Sequence, residues 1–578
     1  MLGAKRGWTL LWVFMLLFAD ALGKPNVILV VAEDQGFVDP AANPKPAPKA
    51  PMIEAFRESS VSLQQFFVSP SGSPTRAALM TGKHEFAVGV SHTLMGRSLL
   101  APGAVTLPEV LRGAGYATAI FGKWHLGENY PCRPQDRGFQ EVLIHGGGGI
   151  GQTPDHWGNS HKSPFLQHNG TWQPYVGDAS EIFFREATHW MELQAKAQQP
   201  FFLYLASNAS QDANFGALMA SLEASGVAQD TIVILISDSG SAMATRNFDA
   251  LGKQGSPPEG GFRVPCFLRW PAKLEPRCVS DLAAHVDLLP TLAAWCGAAL
   301  PEAWTGDGVD LGPALIAKQP LPQKRVVITH AGRWPATQSP VQHRFRNYSI
   351  RDPQFRMVGL NLFDLNADPA EQHNVFDQHP EVVARLTTAY GTWWEKVAPV
   401  LQQPVRYIIG SPQQPLVTLT AYDWWAPRDI EGAEGPEFAY NQSQIKQLLA
   451  DLAVPAKRET QPAITGRWWL QAAREGHYKV TLRLLPADAG AEELKQLGRL
   501  RQGKAHVRVN REEVIVDVLA GASAISVGID VEAGPIDLEA YFDGQLAGGK
   551  QLGSFFATIE WVGERKRTIR PEVRPNAG

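Results

Sequence analysis

The sequence predicts an α/β fold built on a mostly parallel sheet flanked by helices, followed by a C-terminal β-sandwich-like domain. Three observations carry this. Over the first two-thirds, short apolar runs alternate with helical patterns, as in parallel sheets covered on both faces. Near residue 402 the texture changes: Pro404, Pro412 and Pro415 lead into short β-rich segments punctuated by Gly, Asp and Asn. The chain has 578 residues, 44% hydrophobic and 19% charged, enough for a sizeable core and more than one domain.

In chain order, Lys5 and Arg6 precede an apolar run over 8–18, and Ala19-Asp20-Ala21 fits a small-x-small cleavage site. Residues 1–21 therefore read as a secretory signal, which places the protein outside the cell or in the periplasm. The run is shorter than the roughly 20 residues that span a bilayer, and an uncleaved anchor is the alternative. No later segment looks transmembrane. Runs at 26–31, 117–121, 201–206 and 231–237 read as buried strands, with helices at 107–113 and 179–195 between them. Beyond the linker, strands are expected at 478–485, 505–509, 513–518 and 554–561. The expected domains are 25–400 and 417–565, joined by a mobile link over 400–416. Trp424, Trp425, Trp468 and Trp469 either stack on sugar rings or fill the core. The four cysteines, Cys132, Cys266, Cys278 and Cys296, leave open free thiols or one or two bridges, with Cys266 and Cys278 nearest in sequence. The net charge of −4, spread along the chain, lacks the basic stripe a nucleic-acid partner requires.

Ligand sites in α/β sheets gather at the carboxyl ends of strands. After the four predicted strands come Glu33-Asp34, Lys123-Trp124-His125, a polar loop through Gln211, and Asp238-Ser239. Clustered acids suit a hard cation such as calcium, and Lys and His suit an anionic oxygen or a leaving group.

These segments, in this order, resemble the sulfatase family of the alkaline-phosphatase-like superfamily. The resemblance runs through Pro25-Asn26-Val27-Ile28-Leu29-Val30, Ser73-Pro74-Thr75-Arg76-Ala77-Ala78-Leu79-Met80-Thr81-Gly82, Phe121-Gly122-Lys123-Trp124-His125-Leu126-Gly127, Glu259-Gly260-Gly261-Phe262-Arg263-Val264-Pro265 and Leu362-Phe363-Asp364-Leu365. It covers residues 25 to about 390. The run over 146–159 and the added C-terminal domain are similar to a bacterial arylsulfatase-type subgroup. The resemblance implies calcium-dependent sulfate-ester hydrolysis on aryl sulfates or sulfated glycans. In that chemistry a Cys or Ser two residues before the signature proline is oxidised to formylglycine, whose hydrate attacks the sulfur.

At that position this chain has Gly72, which has nothing to oxidise and no oxygen to attack with. The resemblance places Glu33, Asp34, Asp238 and Ser239 at the calcium site, and Arg76, Lys123, His125, Gln211 and Gln254 around the sulfate. Glu33 stands where the family usually has Asp, and Ser239 where it has Asn. Gln211 stands for a His, and Gln254 for a Lys unless Lys253 serves. Calcium binding is therefore expected to be weak or absent. Ser73 is expected to cap the helix, with Pro74 at its first position and Gly82 at its end. The leading expectation is a sulfatase-family protein without turnover that binds sulfated carbohydrates or aryl sulfates through Arg76, Lys123 and His125. The alternatives are an active hydrolase using Ser71, Ser73 or metal-bound water, and a surface-interaction protein using its C-terminal domain.

Overall fold

The computed structural model describes residues 23–33, 50–208, 212–240, 261–322, 324–335, 337–427 and 440–564. The expected signal segment, Asp34, Gln211 and Gln254 lie outside the described residues.

Ten strands form the main sheet: β1 (Asn26–Glu33), β2 (Val61–Phe67), β3 (Ala117–Gly122), β4 (Glu141–Ile144), β5 (Phe165–His168), β6 (Thr171–Pro174), β7 (Phe201–Asn208), β8 (Thr231–Ser237), β9 (Cys266–Arg269) and β10 (Arg277–Ala284). Their order is β10-β2-β9-β8-β1-β7-β3-β4-β5-β6. The block β8-β1-β7-β3-β4 is parallel throughout, and antiparallel pairings of β9, β5 and β6 finish the two sides. The apolar runs are continuous because both faces are covered. Val27, Leu29 and Val31 enter a core shared with the helices Gly72–Thr81, Leu107–Gly113 and Leu288–Trp295. Ile28 and Val30 enter a second core on the opposite face, under Pro51–Glu58, Ala179–Lys196 and Asp212–Ala224. Alternation of side chains along a strand supplies both faces from one run.

A four-stranded antiparallel sheet, β11 (Val327–His330) to β14 (Asn361–Asp364), carries the long helix Pro380–Leu401. Beyond it lie a six-stranded and a four-stranded sheet that bury one common core, the expected sandwich-like arrangement. The strand Tyr407–Ile409, inside the stretch expected to be a link, already pairs with Arg467–Ala472 of the six-stranded sheet. Leu99, Cys132 and Trp157 of the α/β part belong to this same C-terminal core, with Trp157 edge-on to Phe556. All four cysteines are free, so the Cys266–Cys278 bridge left open by the sequence is not formed. The two lie on β9 and β10, which flank β2 on opposite sides. Among the described residues no helix is long and apolar enough to cross a membrane.

Candidate active site

Because β8, β1, β7 and β3 run parallel, their carboxyl ends lie along one rim. Glu33 closes β1, Asp238 follows β8 and Lys123 follows β3. The turn after β3 depends on Gly122, whose φ is 103° and where a Cβ would stand 1.7 Å from the Ala206 carbonyl oxygen. No other residue fits there, and the Lys123 amide then donates to that carbonyl at 2.9 Å.

The helix Gly72–Thr81 starts at this rim. Its N-cap is Ser71 and Gly82 ends it in the left-handed conformation. The expected cap, Ser73, sits inside the first turn instead, and its hydroxyl donates to the His125 carbonyl at 2.9 Å. One turn along, Arg76 is wholly buried. Its guanidinium donates to Asp238 Oδ2 at 2.9 Å and to the Lys123 carbonyl at 2.8 Å, and meets the Tyr204 hydroxyl at 3.1 Å. It also lies 3.6 Å from Glu33 Oε1, which pairs with Lys123 Nζ at 2.8 Å. Burial opposes ionisation of Glu33, but Lys123 and Arg76 outweigh it and hold the carboxyl below its ordinary range. Burial likewise opposes the Arg76 charge, and Tyr204, Asp238 and Glu33 more than restore it.

Two cations thus meet two carboxylates, and the set is neutral. Ser239 donates to the other Asp238 oxygen at 3.3 Å. Among the described residues no three His, Cys, Asp or Glu side chains converge as metal ligands would. A Cβ built on Gly72 would stand 2.8 Å from Asp238 Oδ2 and 3.7 Å from Lys123 Nζ. A side chain at position 72 would therefore enter the middle of this ion-pair network.

His125 does not fill the cationic role expected of it. Burial pushes its imidazole well below the ordinary value, with Lys123 adding to the effect, so the ring is neutral. Its φ is 62°, an uncommon backbone conformation for a non-glycine residue. Nε2 lies 2.8 Å from both the Thr93 carbonyl and the Tyr422 hydroxyl. Tyr422 comes from the C-terminal region, where the sequence offered no catalytic group. The sequence reading also missed Tyr204, embedded in an apolar strand, and His145, which opens the glycine-rich run. His145 lines a cavity of about 110 Å³ beside Glu33, together with His161, Ser180 and Ser207. Burial holds His145 near 4, so it too is neutral. Of the four tryptophans, Trp424 and Trp468 are core residues. Trp425 and Trp469 stack on each other at 5.2 Å, with Arg97 over the first and Arg406 and Arg467 over the second. Ring faces covered in this way favour packing over sugar binding.

The chain matches the sulfatase family over residues 25–211 and 204–298, and the N-sulphoglucosamine sulphohydrolase C-terminal family over 258–390. It is 27% identical to arylsulfatase A of Bos taurus over 467 residues, 66% of this chain and 89% of that protein. It is 24% identical to an N-acetylgalactosamine-6-O-sulfatase of Bacteroides thetaiotaomicron, covering 63% of this chain and 92% of that one. Among solved structures, Ps i-CgsB superposes with a TM-score of 0.58 at 26% identity, over 64% of this chain and 93% of the other. With the parallel sheet, the rim of Glu33, Lys123 and Asp238, and the helix beginning at Gly72, these matches make the chain a member of the sulfatase family.

Proposed function

We propose that this chain is an exported sulfatase-family protein that binds sulfated carbohydrate without hydrolysing the sulfate ester. The observation that carries the reading is the geometry at Gly72. The position faces Asp238 and Lys123, as a nucleophile between a carboxylate and a cation would, yet it supplies no atom to attack with. Without that nucleophile the chain lacks the covalent route that splits one difficult step into two easier ones. The alternative nucleophiles are poorly placed. Ser73 is fully buried and its hydroxyl is committed to the His125 carbonyl. Ser71 is the helix N-cap, and its extended backbone places it a residue before the rim-facing position. Attack geometry is sensitive at the ångström level.

Among the described residues, Glu33, Asp238 and Ser239 do not make up the six to eight oxygens that calcium takes. Glu33 and Asp238 already carry Lys123 and Arg76, and the hydroxyl of Ser239 is turned to Asp238. A sulfate group reaches Lys123 only by replacing Glu33, an exchange of one anion for another, so the sugar must supply part of the affinity. The cavity beside Glu33, where His145, His161, Ser180 and Ser207 sit among Ile150, Ala179 and Phe183, offers hydrogen bonds to hydroxyls. Relatives such as the N-acetylgalactosamine-6-O-sulfatase of Bacteroides thetaiotaomicron support the carbohydrate class. Titration calorimetry with a sulfated galactan oligosaccharide and its desulfated counterpart tests this. Binding of the sulfated form, weakened at least tenfold by Lys123→Ala, is expected. Equal affinity for both forms, or none for either, contradicts it.

A further inference from the structure

We propose that Tyr422, carried by the C-terminal region, is a positioning residue that fixes the tautomer and orientation of His125 at the rim of the site. The contact bridges 297 positions of sequence. The turn Ala421–Asp423 docks against the loop that carries Thr93: the Met95 amide donates to the Tyr422 carbonyl at 2.9 Å, and the Tyr422 hydroxyl donates to the Thr93 carbonyl at 2.8 Å. The same carbonyl lies 2.8 Å from His125 Nε2.

A carbonyl oxygen only accepts, so Nε2 must bear the proton. That proton is shared between the Thr93 carbonyl and the Tyr422 oxygen, while the Tyr422 hydroxyl proton goes to Thr93. Each donor in the group thus has an acceptor, and the neighbouring Gly148 amide donates to Gln152 Oε1 at 2.7 Å. The other nitrogen, Nδ1, is left as a buried lone pair without a hydrogen-bond partner among the described residues. His125 is only 5% exposed, and a Cβ on Gly148 would stand 2.3 Å from its Cε1, so the ring has no room to turn over. His125 therefore presents a hydrogen-bond acceptor rather than a positive charge, and the C-terminal region sets that choice. The inference rests on the geometry around His125 and holds whether or not the site turns over.

The test uses the full-length chain labelled with ¹⁵N-histidine, with the His125 resonances assigned through His125→Gln. The wild type should show a single neutral Nε2–H tautomer at pH 7. Tyr422→Phe keeps the aromatic packing and removes the oxygen, and it should give a mixture of tautomers or a broadened His125 signal. Tyr407→Phe serves as the control: its hydroxyl joins the Glu128 amide to Asp423 across the same contact region without touching His125. It should leave the His125 spectrum unchanged even if it lowers stability. An unchanged spectrum in Tyr422→Phe, or the same change in both variants, overturns the proposal. So does a wild-type ring protonated at Nδ1.

Discussion

Adding one methyl group at the candidate site, Gly72→Ala, probes the ion-pair network without introducing reactive chemistry. Gly72 opens its helix with no positive φ, so alanine meets no backbone penalty and should gain roughly 0.5–1 kcal/mol over glycine. Against that, the new Cβ would come within 2.8 Å of Asp238 Oδ2, closer than unbonded carbon and oxygen tolerate. The carboxylate cannot move freely, because it is wholly buried and holds Arg76 at 2.9 Å. Overpacking of this kind costs about 1–3 kcal/mol. Breaking the Arg76 pair outright would cost about 3–5 kcal/mol, which sets an upper limit. A net loss of about 1–2 kcal/mol is expected. Urea unfolding followed by tryptophan fluorescence should show a lower midpoint for the variant, compared by midpoint because a chain of several cores need not unfold in one step. A midpoint equal to or above wild type would mean that Asp238 does not occupy the space in front of Gly72.

Three further outcomes follow. A chain ending at Leu401 should aggregate, since it would uncover Leu99, Cys132 and Trp157, and soluble expression at full-length yield would refute this. Burial holds Glu128 near 8, and Asp155 and Asp423 near 7, against ordinary values of 4.5 and 3.8. Acids kept protonated in the fold stabilise it fully below the unfolded values and lose that contribution as pH rises through the folded ones. The thermal midpoint should therefore fall between pH 5 and pH 8, and Glu128→Gln should flatten the decline. Gly72→Cys, co-expressed with a formylglycine-generating enzyme, should restore little arylsulfatase activity, because each missing charge stabiliser costs roughly a hundredfold or more in rate. Adding Gln211→His, Ser239→Asn and Gln254→Lys should do far better, since such groups act as a unit.

The sheet was legible because hydrophobic patterning is local. The run expected over 231–237 is strand β8, and the helix expected over 107–113 is Leu107–Gly113. The runs at 26–31 and 201–206 each extend two residues further, carrying β1 out to Glu33 at the rim. Gly72, Lys123 and Asp238 also converge as their places after strands and before a helix implied. Pairing across the chain was not legible. No pattern near His125 points to Tyr422, and nothing near Arg76 indicates that Asp238 and Glu33 would neutralise it and Lys123. The expectation of free cationic donors failed for that reason. The proline-rich stretch read as a link because prolines mark loops, yet Tyr407–Ile409 joins a sheet and Val405 is buried. Ser73 looked like the helix cap by residue type, whereas the helix is capped by Ser71 and starts two residues earlier than that reading required.

The most direct test of the account is sulfate release by the wild-type chain. Purified full-length protein, incubated with an aryl sulfate and with a sulfated galactan oligosaccharide, with and without added calcium, should release no more sulfate than a matched Lys123→Ala control. Calcium-dependent turnover well above that control, abolished by Ser71→Ala or Ser73→Ala, would contradict the central claim and place the nucleophile beside Gly72.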